Sequence, residues 1–144
     1  MNERLLVDTN VWLAAADRRS VHHQECTQLI VANAGRVSSP VPVLAESSWL
    51  ILDRLGPEPH RLFLEAIVEG AIAAIDLTGG DWRRATALCA QYADLRLDLM
   101  DASIVAIAER LEITIIATFN HRDFTVVRPA HTEAFELIPA NTTR

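Results

Sequence analysis

Short apolar runs alternate with longer helical stretches along this chain, and that alternation constrains its fold more than any other feature. Arg4–Val7, Arg36–Ser39, Ala71–Leu77 and Ile113–Thr118 read as strands, and Thr125–Arg128 reads as a further short one. Between them the apolar spacing lengthens to a helical period. Helices are expected over Asn10–Ala16, Val21–Ala34 (after a break at Asp17–Ser20), about Val43–Leu55, roughly Glu58–Glu69, Trp82–Tyr92 and Asp98–Leu111. Pro40 and Pro42 suit a first helical turn, Gly56-Pro57-Glu58-Pro59 stops that helix, and Asp81 stands where an N-cap would. The run Ile113–Thr118 is β-branched and has the character of a strand buried on both faces. The expected class is α/β, with a mostly parallel sheet covered on both sides.

The 144 residues suffice for one domain with a real core, and a single domain over 1–144 is expected. Half of the residues are hydrophobic and 22% are charged, which excludes a disordered chain. Met1-Asn2-Glu3-Arg4 leads straight into Leu5-Leu6-Val7 with no secretory signal, and no apolar run has membrane-span length. A cytoplasmic protein is expected. Cys26 and Cys89 lack metal or redox spacing and read as buried free thiols. His22-His23 are adjacent, so they splay apart on a helix and read as part of a solvated face.

The formal net charge of −6 argues against holding nucleic acid by bulk charge alone. It is compatible with carboxylates that face divalent cations, because the metal inverts the local charge. All 13 basic side chains are arginine. The lack of lysine excludes a P-loop and argues against phosphotransfer domains that place a lysine beside their aspartates.

Ligand sites in open α/β sheets form outside the carboxyl ends of the strands. Asp8 directly follows Leu5-Leu6-Val7, and Asn120 and Asp123 follow Ile115-Ile116-Ala117-Thr118. Glu46 shares a helix face with Val43 and Leu50, and a carboxylate bordering a core stripe needs a partner or a cation. Asp98 and Asp101 meet on one side of a first helical turn. Asp98 reads as its cap or as support, and Asp101, followed by the small pair Ala102-Ser103, reads as a ligand. Carboxylates gathered in one cleft raise one another's pKa, and divalent metal relieves that conflict.

Together these residues resemble a PIN domain, specifically a VapC-type toxin ribonuclease of bacterial toxin–antitoxin pairs. The likeness spans essentially the whole chain. It rests on Val7-Asp8-Thr9-Asn10, on Glu46 in Val43-Leu44-Ala45-Glu46, and on Leu99-Met100-Asp101-Ala102-Ser103. It continues in Ala117-Thr118-Phe119-Asn120-His121-Arg122-Asp123-Phe124 and the tail Val126-Val127-Arg128-Pro129. The resemblance implies a three-layer α/β/α fold with a five-stranded, mostly parallel sheet. It also implies Mg²⁺ or Mn²⁺ in the acidic cluster, a homodimer, and inhibition by a cognate antitoxin.

Asp8, Glu46 and Asp101 match the first three acidic positions of the family, and Thr9 and Thr118 match supporting hydroxyl positions. The fourth acid departs from the pattern. Asn120 fills a slot that is often Asp, while Asp123 stands where other relatives place the acid. Asp123 is expected to serve, directly or through a water, with Asn120 as a neutral ligand or substrate contact.

The implied activity is endonucleolytic hydrolysis of single-stranded or loop RNA, with Glu46 or Asp123 as general base. Arg18, Arg19, Arg122 and Arg128 are candidates to hold the RNA backbone. Trp12, Leu13 and Trp49 are candidates for a partner surface. The alternative is a PIN-like module, weakened at Asn120, that binds RNA or protein without cutting. A phosphotransfer domain using Asp8 as nucleophile is a third reading, disfavoured by the missing lysine.

Overall fold

A computed structural model describes residues 3–140; positions 1–2 and 141–144 of the expected single domain lie outside the described residues. Five strands, β1 (Leu5–Val7), β2 (Val37–Pro40), β3 (Ala73–Ile75), β4 (Ile115–Ala117) and β5 (Glu136–Ile138), form one sheet in the order β3-β2-β1-β4-β5. Every pairing is parallel. The intervening helices are α1 (Thr9–Ala16), α2 (His23–Ala32), α3 (Val41–Leu55), α4 (Pro57–Val68), α5 (Gly79–Gln91), α6 (Leu99–Leu111) and α7 (His121–Val126). Among them, α1 packs on α2 and α3, α3 packs on α4, and α5 packs on α6. Right-handed crossovers put such groups on opposite sheet faces, giving the three-layer α/β/α arrangement.

The central strand is wholly buried: Leu5, Leu6 and Val7 are apolar without alternation because both faces are covered. Its neighbour β2 brings serines into the core, and their hydroxyls are used. Ser38 donates to the Leu5 carbonyl at 2.9 Å and Ser39 to the Val7 carbonyl at 2.6 Å. Ser39 in turn accepts the Trp12 indole N–H at 2.9 Å, so the buried polar atoms of this layer satisfy one another.

Helix α6 is enclosed by the molecule. Ala102 through Ala108 are all buried, so the apolar character runs round the helix, and Leu111 at its end is exposed. Small residues on one side of α6 let α5 and the sheet approach closely.

Three expectations are corrected. Thr125–Arg128 is not a strand: its first residues complete α7, and the fifth strand lies further on at Glu136–Ile138. Asn120 caps α7, its side chain accepting the Asp123 N–H, which favours a helical turn over an extended one. Asp81 is not an N-cap. Thr78 is the cap, and Asp81 closes a reciprocal capping box with it. Pro40 ends β2 rather than opening a helix, and α3 begins at Val41 with Pro42 in its first turn.

Candidate active site

The strand order reverses direction between β1 and β4, and the crevice beyond their carboxyl ends is where an α/β sheet opens a ligand site. Asp8 leaves β1 there and is almost fully buried. Its backbone N–H still donates to Ala117 of β4 at 2.9 Å. The carboxylate is pinned twice: Oδ1 accepts the Thr9 N–H at 2.8 Å and Oδ2 accepts the Thr118 hydroxyl at 2.8 Å. It thereby caps α1 and stays fixed at the cleft floor. Thr118 passes the order along, its Oγ1 accepting the Asn120 N–H at 2.9 Å.

Glu46, Asp98 and Asp101 complete the acidic wall of a cleft of about 310 Å³ whose lining also includes Thr9, Asn10 and Asn120. Asp98 caps α6 by accepting the Asp101 N–H at 3.0 Å, as its position at the helix start implies. Asn120 Nδ2 donates toward Asp101 Oδ2 at 3.4 Å and to Asp123 Oδ2 at 3.0 Å. Asn120 therefore bridges the two acids. Asp123 stands behind it, outside the residues that line the cleft.

Among the described residues, none of Asp8, Glu46, Asp98 and Asp101 takes part in a salt bridge. The salt bridges among the described residues involve other acids, at Glu25, Glu58, Glu65, Asp81 and Glu109. Burial raises the Asp8 carboxyl above its usual range, and Glu46 and Asp98 add to that against the Thr118 and Thr9 hydrogen bonds. Asp101 is pushed up to about 8, first by burial and then by the charges of Asp8, Asp98, Asp123 and Glu46. Such mutual repulsion marks a site that a bound cation would relieve.

The donor set suits a hard cation. Every polar group on the cleft wall except Arg54 offers oxygen or amide, with no thiol or imidazole. The Thr9 hydroxyl is buried and has no hydrogen-bond partner, an orphaned oxygen that a ligand or its water would satisfy. Among the described residues, no three His, Cys, Asp or Glu side chains already gather closely enough to hold an ion by themselves. The acids ring the cleft instead, an arrangement that suits Mg²⁺, which keeps several of its waters.

Two cleft residues escaped the sequence reading. Asn10 lines the wall, and its Oδ1 accepts the Phe119 N–H at 3.1 Å, tying α1 to the segment after β4. Arg54 is the cleft's basic residue. Glu46, Leu50 and Arg54 are spaced by four along α3 and all line the cleft, so the helical stripe was the available signal. Arg18, Arg19, Arg122 and Arg128 do not line it. Arg18 borders a separate apolar groove, and the Arg128 guanidinium donates to the Glu133 carbonyl at 3.4 Å.

The other assignments divide. Trp12 is core, packed edge-on against Phe63 with centroids 5.8 Å apart, while Leu13 is half-buried and Trp49 is well exposed. His22 and His23 do splay apart, but not into solvent alone. His22 bonds Glu25 at 2.6 Å and its ring lies against Phe119, whereas His23 Nδ1 reaches the Ala14 carbonyl. Both cysteines are free; Cys26 is buried, with burial lifting its thiol to about 11, and Cys89 is half-buried.

A five-stranded parallel sheet with an acid at the switch point, further acids on α3 and α6, and an Asn-capped turn after β4 define a class of protein. The PIN domain family matches residues 5–128, and the chain belongs to that family. Among individual relatives it is similar to Ribonuclease VapC26 of Mycobacterium tuberculosis, 26% identical over 135 residues that cover 94% of this chain and 100% of the relative. Its fold is that of VapC20 of Mycobacterium tuberculosis, described as a sarcin-ricin loop cleaving toxin. That match has a TM-score of 0.75 at 18% identity, covering 82% of this chain and 91% of the other. It is also that of a toxin–antitoxin complex from Klebsiella pneumoniae, with a TM-score of 0.66, 21% identity, and 91% and 98% coverage.

Proposed function

We propose that this chain is a divalent-metal-dependent endoribonuclease, the toxin of a toxin–antitoxin pair. The observation that carries the reading is the carboxylate cluster around buried Asp8 at the sheet's switch point, joined to membership of the PIN family. The 26% likeness to a VapC ribonuclease over the full length of that relative supports RNA as the substrate.

In this reading Asp8, Glu46 and Asp101 hold Mg²⁺ or Mn²⁺, which when bound supplies charge for the phosphate oxygens and lowers the pKa of water. Asp8 is oriented for that role by Thr118 and the Thr9 N–H. Asp101, whose carboxyl burial and the neighbouring acids push up to about 8, would hold the ion in its ionised form. Asp98 positions the α6 terminus that carries Asp101. Asn120 holds the Asp101 carboxylate toward the cleft, and Asp123 contributes through Asn120 or a water. Arg54 takes a phosphate of the RNA backbone at the cleft edge. Water attacks phosphorus in line, the bond to the 3′ oxygen breaks, and that oxygen gains the proton, leaving 5′-phosphate and 3′-hydroxyl ends. Glu46, half-buried on the wall, is the base that accepts the proton from water.

An apolar groove of about 600 Å³ between α1, α2 and α4 gives the antitoxin a place to dock. Trp12, Ile30, Leu62, Phe63, Ala66 and Ile72 are among its walls, with Arg18 and Glu58 also at the groove. Trp49 and Leu52, exposed on α3, suit the contact of a homodimer. The reading as a weakened binding module draws on Asn120 in the acidic slot.

The test is cleavage of single-stranded RNA in Mg²⁺ or Mn²⁺ by the antitoxin-free protein and by Asp8→Ala. Wild type should cut, and the variant should lose roughly 10²-fold or more, the scale of a lost metal or acid–base contribution. Equal rates, or no cutting by wild type, would contradict the ribonuclease.

A further inference from the structure

A second cavity, of about 410 Å³, opens beside the acidic cleft and shares Asn10, Leu13 and Arg54 with it. Its size falls within the range of small-ligand sites. Its other walls are Ala14 on α1, Asp17, Ser20 and His22 between α1 and α2, Leu55 at the end of α3, and Phe119 after β4. The His22 and Phe119 rings lie with centroids 4.4 Å apart and planes tilted by 37°. The His22 ring is held by Glu25 at 2.6 Å, and the backbone at both positions is tied down, the Phe119 N–H donating to Asn10 Oδ1 at 3.1 Å and the His22 N–H to Ser20 Oγ at 3.2 Å.

Resting on the ribonuclease reading above, we propose that this cavity is a nucleobase subsite for the RNA nucleotide flanking the scissile phosphate. The aromatic pair supplies the stacking platform by which single-stranded bases are held in a sequence-tolerant way. Arg54 lines both spaces, so a phosphate bridging them meets its guanidinium while the next base turns onto Phe119 and His22. Asp17 and Ser20 line the same wall; Asp17 Oδ1 accepts the Arg19 N–H at 3.0 Å and Ser20 Oγ accepts the His22 N–H, which leaves one carboxylate oxygen and the hydroxyl proton for a base edge. The net charge of −6 leaves little nonspecific attraction for RNA, so stacking beside the cleft supplies binding that bulk charge does not.

The experiment measures fluorescence anisotropy of a fluorescein-labelled single-stranded RNA dodecamer in Mg²⁺. It uses an Asp101→Asn background that leaves the RNA intact. His22→Ala, at an exposed ring, and Phe119→Leu, which keeps apolar volume, should each raise the Kd about tenfold, the scale of one lost base stack. Walking one abasic nucleotide along the dodecamer should find a position that costs the unmodified aromatic pair the same factor. That position should cost the Phe119→Leu protein nothing further. Unchanged Kd in both aromatic variants, or no position-specific abasic effect, overturns the subsite. Cleavage of the same dodecamer by the protein with Asp101 intact judges the parent reading separately. Cleavage with aromatic-independent binding removes the subsite alone, and aromatic-dependent binding without cleavage removes only the ribonuclease. Absence of any RNA binding removes both.

Discussion

Asp8 and Asp81 are both aspartates with almost no exposure, 6% and 3%, yet their surroundings are opposite. Asp81, on α5, receives the Arg110 Nε–H on both oxygens at 3.0–3.1 Å and the Thr78 N–H at 3.0 Å. Burial works against its charge, but Arg110 and the Thr78 contacts hold its carboxyl below the usual range. The neighbouring pair Arg84–Glu109 repeats the pattern, with contacts of 2.7 and 3.1 Å and a further N–H from Ala130. These pairs bind α5 to α6 and to the segment after α7. Asp8 has neutral donors only, and other acids for neighbours, so its carboxyl is raised. A fold that ties acids to arginines on one side of α6, and on the other makes no salt bridge to the cleft acids among the described residues, has kept one region for structure. In the other it leaves a charge deficit that a ligand must fill.

The comparison breaks most visibly in stability. Asp81→Ala strips Arg110 of its partner and opens the capping box, so chemical denaturation should show a loss of about 3 kcal/mol. Asp8→Asn, at equal burial, should leave the metal-free protein no less stable than wild type, because it removes an unpaired charge and spares the side chain's shape. A comparable loss in Asp8→Asn would mean that the two regions are not different in kind.

A smaller effect separates them by pH. Burial and the neighbouring acids push the Asp101 carboxyl up to about 8 in the folded protein, from an ordinary 3.8. The folded protein therefore holds a proton that the unfolded chain releases, and stability in EDTA should fall as pH rises from about 4 to 8, then level off. Asp101→Asn should flatten most of that slope in thermal melts. Asp81 has the reverse sign: its lowered pKa gives stability present at neutral pH that is lost as pH falls through the acid range. The melting temperature of Asp81→Asn should accordingly depend less on acid than that of wild type. A metal-free melting temperature independent of pH between 5 and 8 would remove the charge deficit from the account.

Much of the site was legible before any coordinates, for local reasons. Asp8 ends an apolar strand, Glu46 sits on a helical stripe, and Asp98 and Asp101 are three apart at a helix start. Each of those relations is fixed by the period of its own element. What escaped depends on contacts across the fold. Asp81 meets Arg110 across 29 positions, and His22 meets Phe119 across about two thirds of the chain, so neither pairing leaves a periodic trace. The strand β5 is three residues long and half-exposed at the sheet edge, too short to show a pattern of its own. The misplaced strand at Thr125–Arg128 came from reading β-branched residues without the cap that Asn120 supplies. Arg54 differs, since its spacing from Glu46 was visible and only its environment was not.

Calorimetric titration of Mn²⁺ into the antitoxin-free protein tests the central claim most directly. Wild type and Asp81→Asn should bind the ion with proton release near neutral pH, while Asp8→Asn and Asp101→Asn should lose that heat. Binding that survives both cleft substitutions, or its absence in wild type, would contradict the reading of the acidic cleft as a metal site.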